Sequence, residues 1–186
     1  MKQRALAIVG GLVALTALII AGRTLKPNPP AGSAARAAEL LPYQRSYREL
    51  PAAEQQVYFS LRSALSTAER FRAASKKWPP PEALSGEGLE AFAGDRLSWS
   101  KLEGGLYVNY LGVPKSGGLR WLVMIIEPDP KELKLPNQPR AQDDVEHHTL
   151  ADGTTLHVTV WSQPNEGPLP VAVVPYPVAD GWTERR

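Results

Sequence analysis

Hydrophobic and polar positions along this chain change period several times, and each change marks an element. Residues 5–22 form an uninterrupted run of apolar and small side chains, preceded by Lys2 and Arg4. At helical rise those residues span about 27 Å, close to the hydrocarbon thickness of a bilayer. The pattern therefore predicts an N-terminal transmembrane helix. Residues 23–44 are rich in proline and alanine and read as a semi-rigid spacer, because proline ends a helix.

From 52 to 77 the apolar positions Val57, Tyr58, Leu61, Ala64, Leu65, Ala68 and Phe71 recur at steps of three and four. That spacing predicts a long amphipathic helix opened by Pro51, with Arg62, Glu69, Arg70, Arg72 and Lys76 on its opposite face. Trp78-Pro79-Pro80-Pro81 stops it, and a short helix or turn follows over 82–92, weakened by Gly86 and Gly88.

The pattern then becomes that of strands. Residues 97–102 and 106–111 flank Glu103-Gly104-Gly105, a hairpin signal. Residues 119–126 are apolar apart from Arg120, which suits a central strand. Residues 128–142 read as a polar loop, and 145–150 with 155–161 as a second hairpin around Ala151-Asp152-Gly153. The tail, 163–186, is proline-rich, with an edge strand expected over 169–174. No internal repeat is present. The expected fold class is α+β: an N-terminal transmembrane helix, then a long amphipathic helix packed on an antiparallel, hairpin-rich sheet. The expected domains are 1–22 as anchor, 23–44 as linker, 45–162 as an extracytoplasmic body, and 163–186 as tail.

Composition narrows the function classes. The 186 residues hold 21 basic and 19 acidic side chains, with no basic run interleaved with aromatics, so nucleic acid is not expected as a partner. There is no cysteine, which excludes disulfides, thiolate metal sites and a lipidated cysteine. The apolar run exceeds the usual length of a cleaved signal, which favours retention in the inner (cytoplasmic) membrane. Its short head and large C-terminal body favour a single-pass arrangement with the body outside the cytoplasm, so the lipid bilayer is an expected partner. A pilin is disfavoured, because proline breaks the apolar helix before the head and no early glutamate interrupts it.

All three histidines, His147, His148 and His157, fall within the second hairpin. A two-residue turn at Asp152-Gly153 sets His148 opposite His157, and carries Glu146 to the same face. A three-residue turn with Gly153 left-handed sets His147 opposite His157 instead. Either way two imidazoles come within reach of one ion. Two histidines with a carboxylate and no thiolate suit zinc or copper better than calcium or magnesium. The candidate metal ligands are therefore His147, His148, His157 and Glu146, and a structural site would need a fourth ligand. Ordinary paired polar residues on an exposed hairpin are the competing reading.

Catalysis finds no support: no G-x-S-x-G, H-E-x-x-H, Walker A or G-x-G-x-x-G occurs, so the chain is not expected to be an enzyme. Among the tryptophans, Trp121 is expected in the core, Trp99 and Trp161 half-exposed, and Trp182 available for contact. Arg70, Arg72, Lys76 and Lys77 read as a solvated helix end.

The stretch Glu49-Leu50-Pro51-Ala52-Ala53-Glu54-Gln55, with Tyr58, Leu61 and Arg62, resembles the soluble part of an uncharacterised single-pass bacterial protein family. Pro81, Leu84, Gly88, Leu89, Phe92, Tyr110, Leu111 and Gly112 continue the resemblance, which covers residues 45–125 and not the histidine hairpin. That family is associated with metal-uptake ABC transporter genes. The resemblance implies a non-catalytic accessory role in metal acquisition or homeostasis, with a membrane transporter or envelope complex as partner. A docking module of an envelope complex with no metal role is the alternative expectation.

Overall fold

The computed structural model describes residues 40–128 and 144–186. Its sheet is built from seven strands: β1 (Gln44–Arg45), β2 (Leu97–Gly104), β3 (Tyr107–Pro114), β4 (Leu119–Ile126), β5 (His147–Thr149), β6 (Thr155–Pro164) and β7 (Thr183–Arg185). The helices are α1 (Ala52–Ser75), α2 (Pro81–Gly86) and α3 (Glu90–Ala93), with short 3-10 turns at Tyr47–Glu49 and Pro177–Asp180. The strand order is β1-β7-β6-β4-β3-β2, and β5 pairs with the start of β6.

Two physical facts explain the long central run. In β4, side chains alternate between faces, so Trp121, Val123 and Ile125 pack under α1 while Leu122, Met124 and Ile126 face the other way. Both faces are covered, which is why the strand reads as continuously apolar rather than alternating. On the first face, Val57, Tyr58, Leu61, Leu65 and Ala68 of α1 fill the core. On the second, the chain after β6 returns and lays Val174 and Trp182 against Leu111, Leu122 and Trp161.

Local signals account for the element ends. α1 stops at Ser75 because Lys76 turns left-handed, at φ 60°, and returns its amide to the Arg72 carbonyl. The β2–β3 turn carries Gly105 at φ 59°, a conformation glycine adopts without strain.

The fold expected from the sequence is corrected here. Among the described residues no helix is long and apolar enough to cross a membrane, and the expected span at 5–22 lies outside them. The body is a seven-stranded sheet with few helices rather than a long helix on antiparallel hairpins alone. One pairing, β1 with β7, is parallel, with Gln44 opposite Glu184. Two- and three-residue strands about 140 positions apart carry no periodicity, so no local pattern announces them.

The tail differs from expectation as well. No strand forms over residues 169–174; the pairing strand is β7, further along. Trp182 is only 2% exposed and Trp161 is buried, whereas from the sequence Trp161 is expected half-exposed and Trp182 available for an outside contact. They are the apolar cover of the second face. The expected loop at 128–142 lies almost wholly outside the described residues.

Candidate metal centre

The site is assembled by the β5–β6 hairpin. Gly153 sits at φ 84° and donates its amide to the Leu150 carbonyl, while Leu150 donates to Thr154, both at 2.8 Å. This is the three-residue turn with a left-handed glycine, and it places His147 opposite His157 and His148 opposite Leu156. The His147 and His157 rings lie with centroids 5.0 Å apart and planes inclined at 46°.

Strict alternation would send Glu146 to the face opposite His147. It does not, because Glu146 precedes the strand in a turn organised by Asp144. The Asp144 Oδ1 accepts the amides of Glu146 at 2.7 Å and His147 at 2.8 Å. The Glu146 carbonyl in turn accepts the Val158 amide at 2.7 Å. As a result Glu146, His147 and His157 offer donor atoms that all lie within 4.8 Å of one another. All three side chains are half-buried.

His148 stands apart. Its strand position turns it toward α1, where Nδ1 meets the Glu69 carboxylate at 2.5 Å. The same ring lies 3.4 Å from the Val145 carbonyl through Nε2. Of the four residues expected as ligands, three converge and His148 serves instead as a link between hairpin and helix.

Surrounding charges tune the group. Asp144 lies 3.0 Å from Nδ1 of His147 through each carboxylate oxygen. Partial burial pulls the Asp144 carboxyl up. Hydrogen bonds from the two amides and from the His147 ring outweigh that and hold it at about 2. Burial raises the Glu146 carboxyl above its ordinary value, opposed by the Arg186 guanidinium with which it forms an ion pair. Arg186 also donates Nε to Glu184 at 2.7 Å, and Glu184 accepts from Gln44 at 3.1 Å. The Glu69 hydrogen bond raises His148, against burial that lowers it.

Two imidazoles and a carboxylate form a donor set for a borderline divalent cation, within reach of one ion. Asp144 behind His147 is the carboxylate that such sites use to hold a ring's tautomer and orientation. From the sequence alone Glu146 reaches the histidine face only in the other register, with Asp144 further along that face, and nothing there sets Asp144 behind His147. The signal that could have found it is an aspartate two and three residues before the amides it accepts.

Beside the site, a cavity of about 380 Å³ runs along the second face of the sheet, bordered by Glu146, His157, Trp161 and Arg186. A larger groove of about 950 Å³ lies between the end of α1 and the β2–β3 hairpin, lined by Arg72, Lys76, Lys77 and Trp78. The helix end there is not simply solvated. Arg72 pairs with Glu127, whose carboxylate also accepts the Trp78 indole at 2.8 Å, and Lys76 pairs with Asp152.

A family model described as a family of unknown function (DUF6162) matches residues 44–183. The match takes in the histidine hairpin as well as the helix and all of the sheet except most of β7. No curated protein and no solved structure matches the chain.

Proposed function

The chain belongs to that family of unknown function, and we propose that its described domain is a non-catalytic divalent-metal-binding accessory protein. The observation that carries this is the convergence of Glu146, His147 and His157 on one locus, with Asp144 behind His147. Zinc or copper is the cargo the donor set favours. The site is shallow and half-buried, which suits transient loading rather than a closed structural centre.

In this reading the protein assists metal acquisition or homeostasis beside a metal-uptake transporter, outside the cytoplasm. The support for that finer statement is the resemblance over residues 45–125 and the apolar run at 5–22. Isothermal titration of the chain with Zn²⁺ and Cu²⁺ tests the site. Binding that disappears in His157→Ala is the expected result; binding unchanged in that variant, or none in the wild type, ends the idea.

A specific observation favours a second reading. Val171 is 94% exposed, and Leu169, Tyr176 and Val178 are exposed near it in sequence. Exposed apolar residues of this kind suit a contact with another protein. Cross-linking in cells under metal-replete and metal-starved growth separates the two. A docking module with no metal role captures the same partner under both conditions, whereas the metal reading predicts capture that follows supply.

A further inference from the structure

The three donors alone leave a divalent ion with open positions, one in a tetrahedral and two in a five-coordinate arrangement. Among the described residues no fourth histidine or carboxylate joins the group, since Asp144 is engaged with the back of the His147 ring. Two of the three donors, Glu146 and His157, border the cavity of about 380 Å³. That volume lies in the range of small-molecule sites. Met124, Ile126, Tyr43 and Trp161 give it an apolar and aromatic wall, the last two stacked with centroids 6.0 Å apart, and Glu184, held by Gln44 and Arg186, adds a carboxylate to its border.

Arg186 borders the same cavity and already contacts Glu146. A cation that draws the Glu146 carboxylate to itself loosens this pair while Nε stays on Glu184 at 2.7 Å, and the freed Nη2 end of the guanidinium then favours another carboxylate beside it. We infer that the site takes its metal together with a small chelating carboxylate. The chelator would complete the coordination from the cavity, lay its flat or apolar body against Trp161 and Tyr43, and pair its carboxylate with Arg186. This inference rests on the metal-binding reading above and adds the class of co-ligand.

Picolinate, a flat nitrogen-and-carboxylate chelator, is the probe. The zinc-loaded full chain is titrated with picolinate by calorimetry, while equilibrium dialysis follows the metal. The expected result is picolinate binding with zinc retained, and no picolinate binding to the metal-free chain. In Arg186→Gln, read at saturating zinc, picolinate binding falls about tenfold; Arg186→Lys, which keeps the charge and loses the fork, falls between. Both variants keep the strand pairing, because residue 186 is held by its backbone, its amide to the Arg45 carbonyl at 3.0 Å and its carbonyl to the Tyr47 amide at 2.8 Å.

Zinc stripped from the wild type by picolinate, or equal picolinate affinity in wild type and Arg186→Gln, overturns the inference. Zinc bound but picolinate ignored means the fourth position is filled by the protein, and sinks this inference alone. A wild type that takes no zinc with or without picolinate sinks the metal reading along with it.

Discussion

His148 aims its Nδ1 at the Glu69 carboxylate, 2.5 Å away, and so fastens the β5–β6 hairpin to α1. The hydrogen bond to Glu69 raises the His148 pKa above its ordinary 6.5, although burial opposes it. A folded-state value above the unfolded one means that the contact's stabilisation is full below the unfolded pKa. It is lost as pH rises through the raised folded value. Thermal melts of wild type and His148→Gln should therefore differ more near about pH 5.5 than near about pH 8.5. An equal gap at both pH values removes the charge from the account of this clasp.

Asp144 supports the candidate metal centre without belonging to it. Asparagine at this position keeps an oxygen for the Glu146 and His147 amides and loses the charge beside Nδ1. Asp144→Asn should thus weaken zinc binding by about tenfold or more while the hairpin stays folded. The Asp144 carboxyl is held at about 2, below its ordinary 3.8, so its contribution to stability is complete above 3.8. That contribution is lost as pH falls through about 2. Melts at neutral and mildly acidic pH should show the same offset between the two proteins, and calorimetry should show the affinity loss. Undiminished zinc affinity would mean that His147 needs no carboxylate to orient it.

Gly112 is present because the Trp99 ring occupies the space of a side chain. A Cβ there would lie 2.6 Å from Cη2 and 2.8 Å from Cζ2 of Trp99. The ring has little room to give, since its Nε1 donates to the Ala91 carbonyl at 2.7 Å and Phe92 packs on it at 4.8 Å between centroids. Gly112→Ala should cost about 1–3 kcal/mol in urea denaturation. Trp99→Leu in the same chain should recover part of that cost. Absence of any recovery would place the damage somewhere other than this contact.

Trp182 closes the second face of the sheet against Leu111, Leu122, Met124 and Trp161. Trp182→Ala should destabilise the domain by about 3–5 kcal/mol, in one cooperative transition. A loss below about 1 kcal/mol would mark the tail as an appendage rather than a layer of the core.

The α1 stripe and the turn residues were legible in the chain, and the reasons are local. Val57, Leu61, Leu65 and Ala68 repeat with the helical period whatever they pack against, and they form one buried face. Gly153 marked the hairpin turn, yet it left two registers open. Only its φ of 84° decided for His147 over His148 as the partner of His157.

Glu146 illustrates the limit from the other side. Alternation excludes it from the face of His147, and it arrives there because Asp144 bends the backbone just ahead of the strand. The transmembrane helix expected at 5–22 lies outside the described residues, and the sheet proved mixed where hairpin signals implied antiparallel pairing alone.

By itself, then, the sequence determined the long helix, the central apolar strand, the hairpins and the gathering of all three histidines in one of them. Those follow from side-chain period and turn chemistry, which act over a few residues. Tertiary structure decided the parallel closure of β1 on β7, the burial of Trp182, and which carboxylate meets the His147–His157 pair. Those depend on which distant segments shed water together, and no window along the chain records that competition.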